Sequence, residues 1–466
     1  MADGARQALG MLGSQVACLV LSAFTSAVIA RSLEPEGRGV YYMAVTVATT
    51  ATALGHLSVE QAQSTLWTDA ERRAGLAGNS VPLALVLGTL GGLVTTACVA
   101  AIGPETLHLS GILIVVAACI GVPLGVGVIY ANNIVLLLGR PHVANLAALA
   151  RSVLQCGTLL VLAATSGLSP MSVVLVWVAT EGVSLLVFMA VGGAGARRPD
   201  VGLLRSTVVT GMRYHLGPAS VFLLLHADVF LLGIFTDARE VGIYTLAATL
   251  TVYSRLLPDV LSQVVLNRQF QRSAAESADV TVRTTRLSVL LSLISALLLA
   301  ACAPVMVPTV FGKAYVDAVP LVVLLAPGAL ALGASRPPSA YLLRLRRARL
   351  VVVPAVTALA GSIALSLVLM PVLGAVGCAV ASSVSYLMLA VTQMCLFAKV
   401  TGTRAMAMLP TYADMTALLA ALRRTVPGEQ PRSAPSPLAL RSGARAALRS
   451  ITRTMARRGS YRNAKS

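Results

Sequence analysis

Two carboxylates stand in the middle of apolar stretches of this chain: Glu181, flanked by Thr180 and Gly182, and Asp228, two residues after His226. A carboxylate at that depth of a hydrocarbon layer faces the protein interior or a water-filled cavity, where it binds ions, relays protons or holds a ligand. The alternative for each is a neutral carboxyl hydrogen-bonded to a neighbouring helix. His226 and Asp228 lie about 200° apart around a helix, so they do not both point into one cavity. Arg255 and Asp259 are spaced i, i+4 and can pair on one helix face. Arg151 and Arg336 read as side chains that reach lipid headgroups by snorkelling. The seven cysteines all sit in apolar segments without paired spacing, and the five histidines are scattered. No catalytic residue, metal site or cofactor is therefore expected.

The elements that must position these groups follow from composition. Hydrophobic residues make up 56% and charged residues 12% of the chain, with a mean hydropathy of +0.81, which excludes a soluble globular protein. Apolar windows of about 20 residues, each long enough to cross a bilayer, fall near 9–30, 40–59, 80–102, 110–131, 144–164 and 171–192. A second set falls near 214–236, 241–262, 285–310, 320–339, 351–371 and 376–398. A short phrase marks the second window of each set: Gly39-Val40-Tyr41-Tyr42-Met43-Ala44 and Gly242-Ile243-Tyr244-Thr245-Leu246-Ala247, 203 residues apart. Six windows return the chain to its starting side, so the sets read as parallel repeats. The expected fold is an all-α membrane protein of about twelve transmembrane helices in two parallel six-helix lobes around a central cavity. The lobes are 1–200 and 201–400. Pro304, Pro308, Pro320, Pro327, Pro337 and Pro338 mark expected bends.

Charge gives the orientation. Arg72, Arg73, Arg140, Arg197, Arg198 and others fall on alternate connections, whereas the opposite face holds only Arg31, Arg38, Arg239 and Lys313. The positive-inside rule then places both termini in the cytoplasm of a multi-pass cell-membrane protein. The formal charge of +18 is mostly topological and does not call for nucleic acid. Residues 401–466 form a basic cytoplasmic tail, in which Arg441, Arg445, Arg449, Arg453 and Arg457 recur every four residues. That spacing suits an amphipathic helix over 437–458 lying on anionic membrane lipids. The connections are too short for a catalytic domain, and no Gly-rich phosphate cradle occurs, so an enzyme is not expected.

Four segments carry a family resemblance: Val28-Ile-Ala-Arg-Ser-Leu-Glu-Pro-Glu-Gly-Arg-Gly-Val-Tyr41; Asp228-Val-Phe-Leu-Leu-Gly233 leading to Glu240-Val-Gly-Ile-Tyr-Thr-Leu-Ala247; Phe311-Gly-Lys-Ala-Tyr315; and Gly377-Cys-Ala-Val-Ala-Ser-Ser383. In this order, across about residues 9–400, they resemble the polysaccharide transporter branch of the multidrug/oligosaccharidyl-lipid/polysaccharide exporter superfamily. The resemblance implies a flippase for undecaprenyl-pyrophosphate-linked oligosaccharides working by alternating access. It also implies cationic cavity groups for the anionic head, for which Arg31, Arg38 and Arg255 are the nearest matches. His226 departs from the family, whose members often carry a basic residue two before the Asp. The lipid-linked oligosaccharide is the expected partner, with polysaccharide polymerases or glycosyltransferases as candidate protein partners. Two alternatives stand beside this reading. One is a cation-coupled multidrug exporter with Glu181 and Asp228 as its sites; the other is a membrane scaffold for polysaccharide enzymes.

Overall fold

The structure is a computed structural model and describes residues 2–191, 199–255, 259, 274–345, 347 and 349–416. The chain divides into two compact units, Met1–Pro410 and Thr411–Ser466. The amphipathic helix expected over 437–458 lies outside the described residues.

The first unit is built of α-helices: α1 Ala2–Gly55, α2 Val59–Leu66, α3 Arg73–Ile102, α4 Gly111–Leu137, α5 Pro141–Thr165 and α6 Pro170–Ala190. They are followed by α7 Val201–Phe235, α8 Ala238–Ser254, α9 Glu276–Phe311, α10 Ala318–Arg344 and α11 Arg349–Thr401. Among the described residues, nine helical stretches are long and apolar enough to cross a membrane. A helix rises about 1.5 Å per residue, so α1 and α11, with 54 and 53 residues, are each twice a bilayer long. Both fold back on themselves. In α1 the reversal is at Glu34 (φ 56°, ψ −179°), directly before Pro35, and in α11 it is at Gly374 (φ 53°). Counting each as two crossings and adding the 17-residue α8 gives twelve crossing segments among the described residues. The protein is an all-α, multi-pass membrane protein.

Neither reversal falls on an expected proline bend. Pro327, Pro337 and Pro338 sit inside a continuous α10, and Pro308 sits in a widened turn at Val307–Phe311. A proline removes one backbone donor and bends a helix, but doubling back needs a residue outside right-handed helical space. At Gly374 the missing side chain also makes room for the Glu240 carboxylate, which accepts the Ala375 N–H at 3.0 Å. Elsewhere the helix starts are capped by sequence: Asp237 accepts the Glu240 N–H at 2.8 Å, and Ser169 and Ser172 cap α6 reciprocally.

Side chains such as Leu85, Val86, Leu90, Leu93 and Val94 are exposed along α3, the lipid-facing pattern of a spanning helix. The buried interior runs through both halves of the sequence, with Met43, Tyr130, Tyr244, Leu246 and Tyr315 in one apolar cluster. Small residues let the segments approach closely. The closest approach joins the two copies of the repeated phrase. A Cβ on Gly39 would overlap the Ala238 carbonyl oxygen, and one on Gly242 would overlap that of Pro35. Each glycine thus meets the carbonyl four residues before the other, in a crossing with nearly two-fold geometry.

Candidate functional site

A cavity of about 1310 Å³ opens among α1, α4, α5, α6 and α8. Its walls include the start of α1 at Ser14, the end of α4 at Asn132, the start of α5 at Asn145 and Asp259, just beyond α8. Chain order puts these on the side of the connections bearing Arg72, Arg73 and Arg140, so the cavity occupies that half of the bundle. Its deep end is reached at Thr25, Ser26, Ile29, Tyr41 and Tyr42. Fourteen lining residues carry uncharged hydrogen-bonding side chains, among them Asn132, Asn145, Gln155, Ser184, Thr249 and Tyr253. Arg151 is the sole arginine or lysine and Asp259 the sole carboxylate among the described lining residues.

Arg151 lies ten residues into α5, about 15 Å from its start at the helical rise. Its Nη2 forms an ion pair with Glu181 Oε1 of α6 at 2.7 Å. The exposures of the two side chains, 35% and 7%, decide their arrangement: the arginine faces the cavity and the acid stands behind it. Glu181 therefore reaches the cavity only through Arg151. The snorkelling expected of Arg151 and Arg336 is not what occurs, since Arg336 Nε donates to Asp259 Oδ1 at 3.0 Å. Each arginine is instead paired with a carboxylate of another helix, Arg151 with Glu181 and Arg336 with Asp259. The i, i+4 spacing of Arg255 and Asp259 gives no ion pair within 4 Å, and the close partner of Asp259 is Arg336.

Arg38 is fully enclosed at the deep end. Its Nη1 donates to the Ser26 carbonyl at 3.2 Å, its Nη1 and Nη2 each lie 3.4 Å from Ser26 Oγ, and its guanidinium sits 4.4 Å over the Tyr42 ring. Its Nε has no partner among the described residues. Ser26 and Tyr42 both line the cavity, so Arg38 stands one side chain behind its floor.

Beyond that floor the molecule is shut. The Gly39–Gly242 crossing lies here, together with Arg31, whose Nε donates to the Val310 carbonyl at 2.8 Å and whose Nη2 donates to that of Thr309. Tyr315 donates to the Ala30 carbonyl at 3.2 Å, and His108 Nε2 donates to that of Thr236 at 2.8 Å. Arg31 also lines a separate pocket of about 560 Å³ with Glu34 and Lys313, on this closed side.

Asp228 belongs to a different environment. It is buried in α7, where Oδ2 accepts the Tyr244 hydroxyl at 2.5 Å and the Ser382 hydroxyl at 3.1 Å, while Oδ1 accepts the Val229 N–H at 2.8 Å. Cys378 Sγ lies 3.7 Å from its carbonyl oxygen. His226 points elsewhere: its Nδ1 donates to the Phe222 carbonyl at 2.9 Å, and its ring stacks on Phe222 at 4.1 Å. Of the six candidates, the structure brings Glu181 and Arg38 to the edge of the cavity. Arg31 goes to the closed side, and Asp228, His226 and Arg255 do not line the cavity. The residue missed is Arg151, whose signal was an arginine in an apolar window with an equally isolated acid one window later.

The fold is shared with solved transporters. The structure entitled lipid II flippase MurJ, inward closed conformation, matches with a TM-score of 0.68 at 12% identity, covering 90% of this chain and 94% of that one. An inward-facing multidrug resistance MATE family transporter of the MOP superfamily matches with 0.64 at 14% identity, covering 87% and 96%. A MOP superfamily transporter from Pyrococcus furiosus Vc1 matches with 0.61 at 14%, covering 84% and 94%. No match is found among curated protein sequences. The sequence profile of one family, described as polysaccharide biosynthesis protein, matches residues 5–266, more than half of the chain and all of α1 to α8 except its extreme N-terminus. With a cavity walled by hydroxyls and amides on a transporter fold, the chain belongs to the polysaccharide biosynthesis protein family.

Proposed function

We propose that the protein flips a lipid-linked oligosaccharide, carried on undecaprenyl pyrophosphate, across the cell membrane by alternating access of two six-helix lobes, 1–200 and 201–400. The observation that carries this reading is the chemistry of the cavity. Fourteen uncharged hydrogen-bonding side chains suit sugar hydroxyls, and one arginine, with its planar fork of donors, suits phosphate oxygens. The family match and the shared fold support it from a separate direction. By the positive-inside rule the cavity side is cytoplasmic, so this conformation receives substrate from the inner leaflet with both termini in the cytoplasm. The headgroup meets Arg151 first. Arg38, behind Ser26 and Tyr42, becomes reachable when the floor rearranges, and its unpartnered Nε is a donor in waiting.

A cation-coupled multidrug exporter is the competing reading, favoured by the shared fold with MATE transporters and by the two buried acids. The four aromatic rings on the wall, Tyr41, Tyr42, Phe188 and Tyr253, suit such a substrate, but a cationic one also calls for free acid, and the wall has a single described carboxylate, already engaged by Arg336. The decisive assay is flipping of a fluorescent lipid-linked oligosaccharide in proteoliposomes. Arg151→Gln and Arg38→Gln are expected to cut flipping with expression intact, Arg31→Gln and Arg255→Gln much less. Transport of lipophilic cations by the wild type, with no flipping, overturns the reading in favour of the exporter.

A further inference from the structure

We infer that Glu181 is a built-in competitor for the cavity's cation, setting the threshold by which the site accepts a pyrophosphate head and refuses a single phosphate. The inference rests on the proposed flippase reading for its ligand, but its structural core is independent of it. Arg151 is held by Glu181 through one terminal nitrogen, Nη2 to Oε1 at 2.7 Å, while the guanidinium carries five donors. The remaining donors are the ones an arriving anion can use. To gain the whole fork, the anion must draw Arg151 away from Glu181.

That displacement is opposed because Glu181 has no second side-chain partner among the described residues. The two hydroxyls nearest on its own helix are committed to backbone: Thr180 Oγ1 donates to the Trp177 carbonyl at 2.9 Å, and Ser184 Oγ donates to that of Thr180 at 3.0 Å. Among the described residues Arg151 is the only side chain paired with Glu181. A carboxylate stranded in a buried position is costly, so it pulls the arginine back. A monoanion offers one or two oxygens in exchange for a charge-assisted bond of equal kind and gains little. A pyrophosphate offers more oxygens and more charge across a bidentate fork, and overcomes the pull. The same pull helps release the head once the floor opens, since the partner that Arg151 returns to travels with the protein.

This makes Glu181 a positioning residue for selectivity, and a merely structural role would not change ligand preference. The test measures binding of geranylgeranyl pyrophosphate and geranylgeranyl monophosphate to the purified full-length protein in nanodiscs, for wild type, Glu181→Gln and Glu181→Asp. The wild type should prefer the pyrophosphate by about tenfold or more, the scale of one charge-assisted contact. Glu181→Gln should bind the monophosphate about tenfold more tightly and narrow that preference, and Glu181→Asp should fall between; it also serves if the Gln variant does not fold. A second readout needs no lipid: phenylglyoxal should modify Arg151 faster in Glu181→Gln than in wild type. Unchanged monophosphate affinity together with unchanged phenylglyoxal reactivity overturns the inference. If no variant binds either lipid while Arg151 reacts faster in Glu181→Gln, masking by Glu181 is upheld and the lipid-pyrophosphate reading falls.

Discussion

The two buried acids, one in each half of the sequence, differ in what they answer to. Glu181 faces an arginine that looks into the cavity, so any ligand acting on Arg151 acts on Glu181 at once. Asp228 faces two hydroxyls and a backbone N–H, all enclosed, so ligands in the cavity have no contact with it. From sequence they look alike: one carboxylate in each of two apolar windows. What distinguishes them is the partner supplied by the neighbouring helix, an arginine that carries charge to a surface in one case and hydroxyls that keep charge in place in the other. On the proposed function, transport falls to the first site, while Asp228 ties together α7, α8 and α11.

The sharpest way to break that assignment is Arg151→Gln, which should lower flipping by an order of magnitude or more. It also leaves Glu181 unpaired, with a loss of about 1–3 kcal/mol of stability. The double change Arg151→Gln, Glu181→Gln should recover the stability in thermal unfolding but not the flipping; recovery of both would remove Arg151 from the transport path. Next in size is Asp228→Ala, which leaves the Tyr244 and Ser382 hydroxyls only each other, at 3.2 Å, and should cost about 1–3 kcal/mol, with flipping per folded molecule within twofold of wild type. Lost flipping at unchanged stability would put Asp228 on the path and dissolve the distinction. Tyr244→Phe removes one hydroxyl from the same cluster and should cost about 1 kcal/mol, readable as a small fall in Tm. The smallest effect is expected of Arg31→Gln, on the closed side and exposed: about 0.5 kcal/mol, with flipping changed less than threefold. A complete transport defect there would restore Arg31 as a headgroup ligand.

Much of the architecture was legible because hydrophobic windows and repeats are local properties of sequence. The twelve windows fall on helical segments of the described residues, and the phrases at Gly39 and Gly242 meet in one crossing. The reversals at Glu34 and Gly374 were less so. Prolines advertise bends, whereas a glutamate with φ of 56° is visible only once the chain is traced. The site was half legible. Glu181 stood out by type, but Arg151 did not, because its counter-charge lies on another helix and no spacing rule connects residues 30 apart. Arg255 and Asp259 show the opposite error: a spacing that allows a pair is overridden when α10 offers Arg336 at 3.0 Å.

The crossing at Gly39 and Gly242 has one more implication. On the far side of the cavity the closest point of contact is bare main chain against bare main chain, with the side-chain bonds of Arg31, Tyr315 and His108 around it. One added methyl at either glycine collides with a carbonyl in this conformation. If the protein alternates its access as proposed, Gly39→Ala or Gly242→Ala would disfavour this conformation, and moving a two-state balance from 1:99 to 99:1 takes about 5.5 kcal/mol of such preference. The two glycines are the two faces of a single contact, placed there by a phrase the sequence repeats.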